Sequence, residues 1–397
     1  MVAEINKRPR LLAIRAGALF DGCSATLLTD PLLLVDGATI RAVDRAVEPP
    51  PGAEIVELGG ATLLPGLIDT HVHLAFDASA DPVAGLAGRD DDAALAAMTA
   101  AGRAALLGGV TTVRDLGDRA YLSLRLRGRD DLPTIVAAGP PVTTPAGHCH
   151  FLGGGVECEA DAIRGAVRER AERGVDVIKV MASGGTMTPG TRQEQTQFTP
   201  EVLRAAVEEA HRLGLPVTAH AHGTAAIRNA LDAGADGMEH VSFWSADGVD
   251  EPGDLIGRIA GSGVVVGATV GVYPAPGAVP PPAVAIRMPQ MIANTRRLRE
   301  AGARMALGTD AGIAPIKPHD VLRYALAQVT AQLAIAPAEV LRLATSTAAA
   351  VCGLADRKGR LAPGFDADIL AVDGDPLADP AAVHRIRAVF TRGTRVR

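Results

Sequence analysis

Paired histidines are the residues of this chain most suited to chemistry. His71 and His73 stand two apart in LLPGLIDTHVHL, residues 63–74, directly after an apolar run. His220 and His222 repeat the spacing in PVTAHAHG, and His148 and His150 repeat it again in TTPAGHCHFLGG. Positions i and i+2 of a strand face the same side, so each pair can present two imidazoles to one cation. A single histidine reads as readily as a hydrogen-bonded core residue. The set of pairs does not: 10 histidines placed at random in 397 positions would give about 0.25 such pairs.

Three further residues belong with them. Lys179, in VDVIKVMASGG, sits inside an apolar run. Desolvation penalises a buried ammonium, so the residue is either snorkelling, paired with an anion, or held close to neutrality. A neutral lysine amine can add carbon dioxide and become a carbamate, whose two oxygens can bridge two metal ions. His240, in GMEHVSF, and Asp310, in MALGTDAG, likewise close apolar runs. Asp310 reads either as the N-cap of a following helix or as a ligand.

These residues need a frame that brings them together. Eight strand-like segments (LIDTHVHL, VTTVRDL, TIVAAGP, VDVIKVMA, PVTAHAH, DGMEHVSF, VVVGATV and RMALGTD) alternate with Ala-rich amphipathic stretches at 92–107, 160–173, 200–213, 224–233, 287–302 and 320–332. That alternation predicts an α/β fold, a (β/α)8 TIM barrel. Chemistry in such a barrel sits at the C-terminal ends of the strands, where these residues fall. Both chain ends have another texture. Short β-rich runs closed by Asp-Gly, Gly-Gly and Pro-Gly turns predict a small β-sandwich domain. The expected division is 1–62 and 346–397 for the sandwich, and 63–345 for the barrel.

Composition narrows the partners. The net charge of −6 argues against a nucleic-acid phosphate backbone. No apolar run reaches the roughly 18 residues of a membrane span, and the start lacks an apolar stretch of signal-peptide length. The four cysteines are scattered, with no CxxC, which suggests a reduced, cytoplasmic protein. A small-molecule substrate is expected, and the Ala-rich helical exterior is compatible with a homo-oligomer.

Taken in order, PGLIDTHVHL, VDVIKVMASGG, VTAHAHG, DGMEHVSF and ALGTDAG resemble the amidohydrolase superfamily, and the β-rich ends, including GRLAPGFDADILAVD, resemble its small β-sandwich. Within it the chain looks most like the imidazolonepropionase-related amidohydrolases, especially the prolidase-like dipeptidase and ochratoxinase-like branch, on the strength of IKVMASGG and GHCHFLGG. The resemblance implies two divalent metal ions: zinc, or manganese, cobalt or iron. His71 and His73 would hold the inner ion, which Asp310 completes. His220 and His240 would hold the outer one, and Lys179, as a carbamate, would bridge both. It also implies hydrolysis of an amide bond, in a dipeptide or N-acyl amino acid, by a hydroxide bridging the metals, with Asp310 as the catalytic proton shuttle. The superfamily's mononuclear deaminases carry a Glu three residues after the strand-five His; here that position is Gly223, which favours hydrolysis over deamination. A lactam, carbamate or ester is the alternative substrate class on the same metals. A non-catalytic binding scaffold is the reading from a different class, and the filled ligand set argues against it.

Substrate contacts are expected from His148 and His150 in the loop after strand three, from His222, from Tyr273 after strand seven, and from Arg192 in the long segment 183–198, which reads as a lid. The proline-rich run 273–284 reads as a pocket wall or a linker. Arg114 and Asp115, which end strand two, read as a structural ion pair or, alternatively, as residues that reach the substrate.

Overall fold

The computed structural model describes residues 11–275 and 279–397. The first ten residues, within the start that reads as carrying no leader, and 276–278 of the proline-rich run lie outside the described residues.

All eight expected strands form, and they run parallel. They are β1 (Leu67–Val72), β2 (Val110–Asp115), β3 (Thr134–Ala137), β4 (Ile178–Met181), β5 (Val217–Gly223), β6 (Gly237–Trp244), β7 (Val265–Thr269) and β8 (Arg304–Gly308). β1–β3 pair as one sheet and β4–β8 as another. Two seams join them into a ring. Beyond β3, Val142 bridges Val180 of β4, with Val142 N donating to the Lys179 carbonyl at 2.8 Å. Beyond β8, Ala311 bridges Val72 of β1, and Asp310 N donates to the His71 carbonyl at 2.8 Å. The chain is thus a (β/α)8 barrel.

The helices between the strands start and stop where local chemistry dictates. Asp90 caps Asp91–Leu107 by accepting from Ala93 N, and Gly108 follows its end. Thr199 caps Pro200–Arg212, whose proline occupies the first turn, where no N–H bond is lost. The helix expected at 287–302 begins earlier, at Pro282, for the same reason. With few aromatics available, alanine, valine, leucine and isoleucine fill the space between helices and barrel, and the glycines of the strands let side chains approach the backbone closely.

The chain ends meet in the small domain. One sheet orders Thr39–Arg45, Pro31–Asp36, Leu11–Arg15 and Glu54–Glu57. The other orders Thr394–Arg395, Ile386–Thr391, Ile369–Asp373, Ala61–Pro65, Ala18–Leu19 and Leu28–Thr29. Leu12, Ile14, Leu33, Val35, Leu63, Ile369 and Phe390 form the core between them. Strand Ala61–Pro65 straddles the expected boundary at 62 and lies in the sandwich. Helix Ser346–Val351, just past the other boundary, packs Ala348 and Ala349 against Ile68 of the barrel. Among the described residues, no helix is long and apolar enough to cross a membrane.

Candidate metal centre

At the C-terminal rim of the barrel, β1 delivers His71 and His73. Asp69 fixes the strand there. Its Oδ1 accepts from the backbone N–H groups of His71 and Thr309, and its Oδ2 pairs with the Thr309 hydroxyl at 2.6 Å. Asp310 follows directly, in the left-handed region with φ of 60°. On the opposite side, His240 of β6 has φ of 73°. Left-handed backbone at residues other than glycine costs about 1–2 kcal/mol each. Two such residues at one rim mark a site where geometry outweighs local preference.

Each of the four histidines is held by one ring nitrogen. His71 Nδ1 meets Glu239 Oε2 at 2.9 Å, and His73 Nδ1 meets the Gly117 carbonyl at 3.2 Å. His220 Nε2 meets the Gly184 carbonyl at 3.1 Å, and His240 Nδ1 meets Thr269 Oγ1 at 2.8 Å. Carbonyls and carboxylates can only accept, so they assign the N–H to the tethered nitrogen of His71, His73 and His220. The other nitrogens of these three rings are then bare lone pairs, and those of His71 and His73 converge. His71 Nε2 and His73 Nε2 lie 3.3 Å apart, with Asp310 Oδ1 at 3.5 Å and 3.3 Å from them. His220 Nδ1 and His240 Nε2 lie 2.9 Å apart.

Two lone pairs and a carboxylate oxygen pointed at one another repel unless a cation lies among them. Lys179 adds a second anomaly. It is 1% exposed, lines the same cavity, and its Nζ has no hydrogen-bond partner. This donor set fits divalent metal ions, and nitrogen with oxygen ligands suits zinc, manganese, cobalt or iron. Donor atoms of His71, His240 and Asp310 gather within 4.8 Å of one another, as do those of His220, His222 and His240. His222 therefore stands within reach as an additional donor.

Charge states agree with that fit. Burial pushes His71 down to about 4, with Lys179 adding to the effect and Asp310 and Glu239 opposing it. Burial and the neighbouring imidazoles hold His220 and His240 well below the usual histidine range. These rings are neutral at pH 7, the form that binds metal. Burial lowers Lys179 to about 8, against the pull of Glu239 and Asp310. Burial pushes Asp310 up, but His71, His73 and Lys317 together hold it well below the usual carboxylate range.

The cavity above these donors is small, with a volume of about 50 Å³. His148 and His222 both line it. His148 is buried, 4.8 Å ring to ring from His220, with Nδ1 unpartnered. His222 stacks on His240 at 4.3 Å and pairs Nδ1 with Ser242 Oγ at 2.8 Å. Burial lowers them to about 4 and about 3. Three expected contacts are not brought to the cavity. His150 is exposed, its Nδ1 tied to the Gly147 carbonyl. Arg192 has its side chain 69% exposed beside Glu194. Tyr273 is 40% exposed and packs edge-on against Tyr324. From the segment 183–198 it is Gly185, Thr186 and Met187 that face the cavity.

Glu239 was not legible in the sequence. It is 1% exposed and accepts from His71 Nδ1 and, at 2.6 Å, from the Thr218 hydroxyl. Arg114 Nη2 donates to it at 2.9 Å while Nε donates to the Thr70 carbonyl. Arg114 therefore ion-pairs across the barrel interior with Glu239, not with its neighbour Asp115. Arg114 and His71 hold Glu239 below the usual carboxylate range against its burial. The available signal was Gly267 on β7: a Cβ there would stand 2.1 Å from Glu239 Oε2.

Known proteins can now be set beside this geometry. The sequence model of the amidohydrolase family matches residues 62–396. Ochratoxinase from Aspergillus niger is 31% identical over 363 residues, covering 82% of this chain and 73% of that protein. Imidazolonepropionase from Deinococcus deserti is 28% identical over 411 residues, covering 94% and 93%. The crystal structure of a Xaa-Pro dipeptidase with methionine bound in its active site superimposes with a TM-score of 0.82 at 25% identity, covering 97% of this chain and 99% of that one.

Proposed function

Because the chain belongs to the amidohydrolase family, we propose that it hydrolyses the amide bond of a small N-acyl compound at a centre of two divalent metal ions. His71, His73 and Asp310 would hold one ion, and His220 and His240 the other. Lys179 would reach both as a carbamate, formed when its neutral amine bonds the carbon of carbon dioxide and releases a proton. The observation that carries this reading is the convergence of the bare nitrogens of His71 and His73 with the Asp310 carboxylate, at a cavity that the unpartnered, buried Lys179 also lines. The four unpaired cysteines fit a reduced compartment such as the cytoplasm.

When bound, such ions lower the pKa of water towards about 7 and polarise a carbonyl. The protein's own groups do the rest. Glu239 and the Gly117, Gly184 and Thr269 oxygens fix the orientation of the four imidazoles. Asp310, anionic and beside His71 and His73, takes the proton of the attacking water and returns it to the leaving nitrogen. His148, over His220 with a free ring nitrogen, is placed to donate to the substrate carbonyl oxygen.

Metal analysis of the purified full chain, combined with a screen of N-acyl compounds, tests the proposal. About two equivalents of metal and a Lys179→Met variant with reduced metal are expected. A chain that stays metal-free after supplementation overturns it. Asp310→Asn should lower kcat about 10²–10⁴-fold, more than it lowers metal content; equal losses would remove the proton role. A cyclic amide is the second reading, favoured by the imidazolonepropionase match across 94% of the chain, and the same screen separates it.

A further inference from the structure

Above the proposed ligands, the cavity wall changes character. Phe76, Cys149, Met181, Met187 and Ile313 face it. Among the described residues that wall carries no arginine, and its one lysine is Lys179. Two basic side chains of the flanking loops are committed elsewhere. Lys317 Nζ donates to the Thr309 carbonyl at 2.8 Å, and Arg192 points to solvent. His148 and His222 also reach the cavity, and His222 is tied to Ser242 Oγ at 2.8 Å. A carboxylate held against these apolar side chains, away from the metal ligands, would be desolvated with no cationic side chain to pair it, a penalty that outweighs the gain from burying the apolar part beside it.

We infer that the substrate carries uncharged, apolar groups on both sides of its amide bond, so that neutral N-acyl amines are taken in preference to free dipeptides and N-acyl amino acids. The inference rests on amide hydrolysis at the centre described above. Water adds across the C–N bond, and a carboxylic acid and an amine leave. The charge absent from the substrate then appears on both products, so the wall that admits the substrate also favours their release.

Matched pairs test it on the zinc-loaded full chain. N-phenethylacetamide and N-acetylphenylalanine differ only by a carboxylate on the amine side. N-phenethylbutanamide and N-phenethylsuccinamic acid differ only by a carboxylate replacing a methyl group on the acyl side. The neutral member of each pair should show a kcat/KM at least about tenfold higher. Equal or better turnover of the carboxylate member in either pair overturns the inference. If the metal-loaded chain cleaves none of the four, the hydrolysis reading fails. The uncleaved compounds, titrated calorimetrically, then decide the inference by the same ratio in Kd. Met187→Lys places an ammonium on the wall and should shift either ratio at least about fivefold towards the carboxylate member. An unchanged ratio would show that this wall does not contact the substrate.

Discussion

Glu239 shows how one buried carboxylate can orient a histidine of the proposed metal centre from behind. It holds His71 by Nδ1, so that Nε2 faces His73 and Asp310. Replacing it with Gln keeps the shape but removes the charge, and leaves Arg114 unpaired in the interior. Glu239→Gln should lower zinc affinity about 10–100-fold, read by competition with a chromophoric chelator; unchanged affinity would mean that His71 needs no anchor. A second residue effect concerns Asp115 and Asp118, both buried beside the Gly117 carbonyl that holds His73. Burial raises Asp118 to about 6, and burial with the Asp118 charge raises Asp115 well above the usual range. These two carboxyls keep protons that the unfolded chain releases, so their own contribution to stability falls as pH rises from about 4 to about 6, against the opposite contribution of the buried neutral histidines. In the metal-free chain, Asp118→Asn removes that contribution, so the variant's stability relative to the parent chain should rise by on the order of 2 kcal/mol between pH 4.5 and pH 7, read from urea midpoints of both; a constant difference would show that Asp118 holds no proton in the native state. Metal-free protein is required because metal binding has the opposite pH dependence.

Among the elements, the strands decide which side chains meet. Period-two alternation would send Glu239 and His240 to opposite faces of β6. Instead both act inside the barrel, because His240 takes a left-handed φ of 73° and breaks the alternation. The pattern of β1 was legible because His71 and His73 reach the same site at i and i+2, although its pairing with β2 shifts register between Leu67 and Ile68 and again between Asp69 and Val72. The role of Glu239 was not, because its direction depends on a backbone departure that no local propensity encodes. β7 makes room for it with Gly267. Gly267→Ala would press a Cβ against a carboxylate already fixed by Arg114, Thr218 and His71. About 1–3 kcal/mol of lost stability is expected, together with weaker zinc binding, measured by chemical denaturation and metal titration. Loss of neither would show that Glu239 can swing aside freely.

For the whole molecule, the sandwich is fastened to the barrel by polar as well as apolar contacts. Lys358, 1% exposed on its side chain, pairs with Asp366 at 2.9 Å and with Asp368 at 2.5 Å. Asp368 also accepts from Arg392 N, and its carbonyl accepts from Gly66 N at the entry to β1. The ion network thus sits directly below the strand that carries His71 and His73. Lys358→Met would leave the buried Asp368 without its cation, while Asp366 keeps Arg357 at 2.7 Å, at a cost of about 3–5 kcal/mol. Equilibrium unfolding in urea would register that loss, and a change under about 0.5 kcal/mol would show that Asp368 finds another partner.

The sequence by itself determined the eight strands, the order of the histidines, Lys179 and Asp310 along them, and the pairing of the two chain ends. Each of these depends on side-chain chemistry and on spacing within a few residues. Only the tertiary structure decided which nitrogen of His71, His73 and His220 is free, that Glu239 anchors His71 from 168 residues away, and that His148 and His222 face the cavity while His150, Arg192 and Tyr273 do not. Those outcomes depend on loops meeting after the barrel has closed. A residue's spacing fixes the face from which it starts, and its distant neighbours fix where its side chain ends.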